Sequence, residues 1–131
     1  NDRMADKVAL IRAEENGCAI GGALNLIGSE ALFGRNWGCN SQRKFLHFEA
    51  CYYRAIDLAI ELRLARVEAG TQGPHKIQRG YLPVQTYSAH WIRDEGFRDA
   101  VADFLVREKQ AEAGEVEYLG ELSPFRRSEN D

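Results

Sequence analysis

The stretch KVALIRAEENGCAIGGALNLIGSEALFGRN, residues 7–36, decides the fold. It contains three β-prone runs separated by two turn signals. KVALIRA (7–13) and CAIGGALNLI (18–27) flank Asn16-Gly17. That pair tolerates positive φ at both turn positions, which makes it the strongest short-range hairpin signal. Gly28-Ser29 marks a second turn, and EALFGRN (30–36) reads as a third strand. Three antiparallel strands in a meander need a covering element before they are stable.

The cover comes next in the chain. Phe48, Tyr52, Ala55, Ile56, Ala59 and Ile60 recur at three- and four-residue spacing, which predicts a helix over 48–64. The strand-like RVEAG (66–70) follows, so the helix is a candidate crossover between parallel strands. A glycine-containing loop is expected over 70–83 and a further strand, TYSAHWI, over 86–92, with Trp91 in the core. Asp94 then caps a final helix carrying Phe97, Ala100, Val101, Phe104 and Leu105. The order β-β-β-α-β-loop-β-α predicts an α/β (α+β) fold, a mixed, mostly antiparallel sheet packed by two main helices. With 131 residues the chain has room for one core, so residues 1–131 are read as a single domain.

Apolar residues make up 44% and charged residues 28%, a globular balance. A net charge of −3 argues against a general nucleic-acid binder, which needs a basic face to displace counterions. A local basic patch remains, from Arg35, Lys44, Arg54, Lys76 and Arg79. Cys18, Cys39 and Cys51 are odd in number and lack C-x-x-C spacing, which suits a reducing, cytoplasmic setting better than a disulfide scaffold. No apolar run approaches the ~20 residues that span a bilayer. The abrupt start on a strand pattern suggests a piece of a longer protein.

Four strings narrow this outline: GRNWGC (34–39), FLHFEACYYRAI (45–56), EAGTQGPHKIQRGY (68–81) and SAHW (88–91). In combination they resemble the C-terminal region of a bacterial family of predicted GNAT-superfamily N-acyltransferases. That family is described as concerned with peptidoglycan biosynthesis or recognition and is distantly similar to Fem-type aminoacyl-tRNA-dependent transferases. The resemblance runs from about Val8 to Arg127 and implies the later half of a GNAT-like fold, the second half of a second unit in a longer protein. It also implies transfer of an acyl or aminoacyl group to an amine. The Fem-type signature of a helix, an acidic strand and K-x-x-R/K-G-aromatic corresponds here to 48–64, 66–70 and Lys76-Ile77-Gln78-Arg79-Gly80-Tyr81. The Q/R-x-x-G-x-G/A loop that holds the pyrophosphate of acetyl-CoA is missing, and Gly70-Thr71-Gln72-Gly73 opens no obvious helix. Acetyl-CoA is therefore unsupported as the donor, and an aminoacyl-tRNA or another acyl donor, acyl-CoA included, is at least as plausible, with an amine of a small molecule or peptidoglycan precursor as acceptor.

N-acyl transfer needs a base for the incoming amine, donors for the oxyanion and cations for a phosphorylated donor. His47 and Glu49 fall in the first turn of the central helix, where a carboxylate also simply complements the helix dipole. Glu68 alternates with Val67 on its strand, so it points to a cleft or to solvent. Lys76 and Arg79, three apart, share a face if residues 74–80 form a helical turn, and they can then clamp an anion beside His75. Gly80 permits a backbone conformation closed to other residues, and Tyr81 adds a phenol. Arg35 shares a strand face with Trp37, as cleft lining or as plain cation–π packing. His90 reads as structural. No metal is expected, since the histidines lack zinc-site spacing apart from the bare His47-x-Glu49 pair. Cys51, beside the apolar stripe, reads as a buried thiol and not a nucleophile.

Two functions follow. One is an N-acyltransferase in which the 68–81 segment meets His47 and Glu49 in one hollow. The other is a non-catalytic recognition module that binds an anionic ligand or cell-wall precursor through Arg35, Lys76 and Arg79. An exposed sheet edge would also allow a homodimer.

Overall fold

Asn16 (φ 50) and Gly17 (φ 78) both occupy the left-handed region, and Glu15 pairs with Cys18 across them, so the hairpin closes through the two-residue turn that the sequence predicts. The computed structural model describes residues 3–70 and 74–125. Strands β1 (Val8–Glu15), β2 (Cys18–Ile27) and β3 (Ala31–Cys39) form the expected antiparallel meander. A short strand β4 (Arg66–Glu68) adds to β3 in parallel, with Leu32 opposite Val67. The intervening helix is therefore the parallel crossover. The fold is a four-stranded, mostly antiparallel sheet with two main helices, consistent with a GNAT-like arrangement.

The crossover helix is built in three parts: α1 (Leu46–Phe48), a π-helical turn (Glu49–Tyr53) and α2 (Arg54–Glu61). The Arg54 N–H donates to the Glu49 carbonyl five residues back, which identifies the wider turn. Ala55 and Ala59, one turn apart, lie buried against Leu32, and Ile11, Ile27, Leu58, Leu64 and Val67 close around them. Two alanines let the helix axis approach the sheet closely, while Leu32, fully buried, contributes about 2 kcal/mol of apolar burial. Ile60, expected on the packed stripe, is 69% exposed. The wider turn and the close Ala55–Ala59 seam rotate it off the sheet, and Leu58 takes its place.

The helix ends in a Schellman motif. Arg63 N–H donates to Ile60 O at 3.0 Å and Leu64 N–H to Ala59 O at 2.9 Å, with Arg63 itself at φ 56. Leu64 returns to the core and delivers the chain to β4, where the amides of Ala65, just before the strand, and Arg66, its first residue, donate to Glu30 O.

The chain divides into two compact units, Asn1–Gln72 and Gly73–Asp131. In the second, part of the expected loop is a 3-10 helix, Pro74–Arg79, and residues 71–73 of that loop lie outside the described residues. The strand expected over 86–92 is absent: no described strand pairs with it, and Tyr87 and Trp91 are exposed. Alternation alone does not make a strand, since its stability comes from a neighbouring ladder and a face to bury. Trp91, 79% exposed, is not in a core. Asp94 does cap the final helix, α3 (Glu95–Glu121), accepting from Phe97 N–H at 2.7 Å. Its expected apolar stripe is largely exposed, with Val101 half-buried and Phe97 and Phe104 open.

Candidate functional site

Beyond the packed seam, β3 continues to Trp37 and Cys39, and the helix starts at Leu46. The loop between them borders a shallow hollow of about 400 Å³, lined by Trp37, residues 41–44, Leu46 and His47. Trp37 can lie there because its diagonal neighbour on β2, Gly21, has no side chain. A Cβ at Gly21 would sit 3.0 Å from the indole Cη2. His47 is held among rings, with centroids 5.7 Å from Trp37, 5.5 Å from Phe48 and 5.4 Å from the edge-on, buried Tyr52. Such tilted and edge-on contacts fix a ring's orientation as well as burying it.

The backbone around His47 departs from regular structure on both sides. Phe45, the residue before the helix, is at φ 67 and 63% exposed. A bulky residue in the left-handed region is strained, and burial does not account for it here. On the other side the π turn begins at Glu49 and carries buried Ala50 and Tyr52. Both features concentrate at functional sites.

Lys44 supplies the hollow's uncompensated charge. Its Nζ lies 4.9 Å over the Phe45 ring, and it has no ion pair among the described residues. Arg43 is engaged by Glu15 through two contacts, Nε–Oε1 at 3.0 Å and Nη2–Oε2 at 2.5 Å. These hydrogen bonds hold the Glu15 carboxyl below its ordinary range and raise Arg43 above its own. Among the described residues no acidic side chain lines the hollow, and with Arg43 balanced by Glu15 its unbalanced formal charge is that of Lys44.

The residues singled out from sequence do not all gather there. Glu49 is exposed on the outer side of the π turn. Val67 packs into the core, so Glu68 faces the opposite side of the sheet, in register with Phe33. Glu68 accepts from Arg66 Nε at 3.0 Å, and Arg66 also reaches Glu30 at 3.3 Å. The expected meeting of Glu68 with His47 in one hollow is therefore corrected: the helix covers one face, and Glu68 lies on the other. The expected shared face of Arg35 and Trp37 fails as well. Leu24 pairs with Asn36 and Asn25 with Gly34, which leaves Arg35 as the extra residue of a β-bulge that resets the two-residue alternation. Arg35 is exposed.

In the second unit Lys76 and Arg79 share a face, because positions three apart eclipse on a 3-10 helix. Ile77 is buried while His75 and Gln78 are exposed, as the same geometry requires. Arg79 Nη1 donates to His75 O at 2.7 Å, and burial lowers the Lys76 pKa. Gly80, at φ 84, ends this helix in a second Schellman motif: its N–H donates to Ile77 O at 2.9 Å and Tyr81 N–H to Lys76 O at 3.2 Å. Cys51 is half-buried, and burial raises its thiol to about 11. Among the described residues no group of three or more His, Cys, Asp or Glu forms a metal site. Nor is any helix of these residues long and apolar enough to cross a membrane.

Sequence reasoning missed Trp37 as a platform, together with Tyr52, Ser41 and Gln42. The Gly21-Gly22 pair inside an apolar strand was the available signal, since interior strand glycine marks a close approach. Asn25, 1% exposed and donating through Nδ2 to Ala23 O at 3.2 Å, was missed too, although it is the one amide side chain in its apolar run.

A family model described as FemAB-like, for peptidoglycan biosynthesis/recognition, matches residues 1–127. No curated protein and no solved structure matches the chain.

Proposed function

Since the chain belongs to the FemAB-like family of peptidoglycan biosynthesis/recognition, we propose that it serves transfer of an acyl or aminoacyl group to an amine of a cell-wall precursor. The observation that carries this reading is the hollow beside His47, where an oriented imidazole adjoins a rim whose Arg43 is balanced by Glu15 and whose Lys44 is not balanced. His47 takes the role of proton acceptor from the amine, and Lys44 attracts the anionic part of the precursor. Lys76 and Arg79, eclipsed on their short helix, suit the phosphates shared by acyl-CoA and aminoacyl-tRNA, with Gly80 and Tyr81 fixing the end of that helix. Glu68, engaged by Arg66, serves to anchor β4 and not as the base. Glu49 and Arg35, both exposed, have no assigned role in the step, and His75 contributes its carbonyl to holding Arg79. The unpaired thiols Cys18, Cys39 and Cys51 suit the reducing cytoplasm.

The test is product formation. Intact protein is incubated with charged tRNA or acyl-CoA and a muropeptide amine, and the acceptor's mass is followed. His47→Gln should lower kcat by about 100-fold or more, the usual contribution of a general base. Lys76→Ala should act mainly on donor KM, and Glu68→Gln should leave kcat near that of the unsubstituted protein. Full turnover in His47→Gln would remove the proposed base. A recognition module is the second reading, favoured by the engagement of Glu68 away from the hollow; precursor binding with no product from either donor selects it.

A further inference from the structure

The hollow depends on a loop held from two sides. The helix start takes its end, through Leu46 N–H to Arg43 O at 3.2 Å and Glu49 N–H to Phe45 O at 3.0 Å, and residues 40–43 are also stitched to the turn end of the β1–β2 hairpin. Asn40 N–H donates to Ile20 O at 3.0 Å, and its Nδ2 donates to Ala19 O at 3.2 Å. Ile20 is itself the extra residue of the bulge in β2, since Ala13 pairs with Gly21 and Glu14 with Ala19. The third link is the two-contact fork between Arg43 and Glu15.

Glu15 is the last residue of β1, directly before the Asn16-Gly17 turn, so its position is set by the turn geometry. Arg43 lines the hollow, and two residues on is the strained Phe45. Strain of that kind persists only where the surroundings over-determine it. An exposed ion pair adds little to stability, so its worth here lies in direction: a fork-on-fork contact fixes orientation as well as distance.

We propose that Glu15 is a positioning residue, which by gripping Arg43 fixes residues 43–45 and so presents His47 to the hollow. The catalytic consequence rests on the reading of His47 as proton acceptor, whereas the placement of the imidazole does not.

The test reads that placement without turnover. Diethyl pyrocarbonate modifies accessible imidazoles, and mass spectrometry of the full chain resolves His47 from His75 and His90, which lie in the second unit and serve as internal references. Glu15→Gln and Arg43→Gln should each change the His47 rate by at least about threefold, the lower end of coupling within one side-chain network. His75 and His90 should keep their rates. Glu15→Asp, with its charge kept and its reach shortened, should fall between, and the swapped pair Glu15→Arg with Arg43→Glu should return His47 towards its original rate. An unchanged His47 rate in both single variants overturns the proposal, as does a change shared by all three histidines. A responsive His47 in a protein without turnover keeps the positioning role and discards the transfer reading. Turnover that falls in His47→Gln but ignores Glu15→Gln does the reverse.

Discussion

Cys51 shows how far one residue's chemistry can be read from its neighbours. Its place beside the apolar stripe predicts an inert thiol, and burial does raise it to about 11. At pH 8 only about one molecule in a thousand then carries the thiolate at this position, against roughly a quarter for an unperturbed cysteine. Timed Ellman titration of the folded protein should therefore find the exposed Cys18 and Cys39 fast and Cys51 slow, with three fast thiols only after denaturation. The sign for stability follows. Between ~8.5 and about 11 the unfolded chain releases this proton while the folded chain keeps it, so folding weakens as pH rises through that window. Gly80 and Asp94 were legible at the same scale, because a helix stop and a cap are local chemistry. Glu68 was legible only by half: alternation gives two faces but does not say which of them the helix covers. Arg35 was misjudged because an extra residue in a strand leaves no mark in its composition.

Elements were most legible where local signals agreed. The Asn16-Gly17 hairpin, the meander and the parallel crossover all followed from turn chemistry and period. The strand expected over 86–92 did not form, because its ladder partner would have to come from elsewhere in the chain and no local string encodes one. The crossover's C-terminus is a case where sequence and backbone disagree: the Schellman position that favours glycine holds Arg63 at φ 56. Left-handed backbone costs a side-chain-bearing residue roughly 1–2 kcal/mol, while glycine loses about 0.5–1 kcal/mol in unfolded-state entropy. Arg63→Gly should accordingly stabilise the first unit by up to about 1.5 kcal/mol, seen as a higher urea midpoint with an unchanged m value. A lower midpoint would mean that the arginine side chain makes up for its own backbone.

For the molecule as a whole, the sheet's ends matter most. The helix covers one face, through Ile11, Leu32 and Val67. The other face carries Val8, Leu10 and Phe33, with Leu10 63% exposed, and β1 forms one edge of the sheet. An edge with no partner strand among the described residues, beside exposed leucine, favours strand pairing between copies. Light scattering should show the mass rising towards a dimer with concentration, and Leu10→Lys should return it to the monomer; a single mass at every concentration retires the idea. Whether the apolar positions of α3 are covered was not legible from their spacing, which records a face without naming what lies against it.

The extra residue at Glu49–Tyr53 has a consequence for how this chain can change. One residue more or less in a helix swings everything before it by about 100°. The wide turn thus works like a loose coupling on a shaft. Downstream, the alanine seam stays locked to the sheet, whereas upstream the short segment bearing His47 can be re-aimed by a single insertion or deletion. Variation in how the hollow is lined can therefore leave the Ala55–Ala59 seam in place.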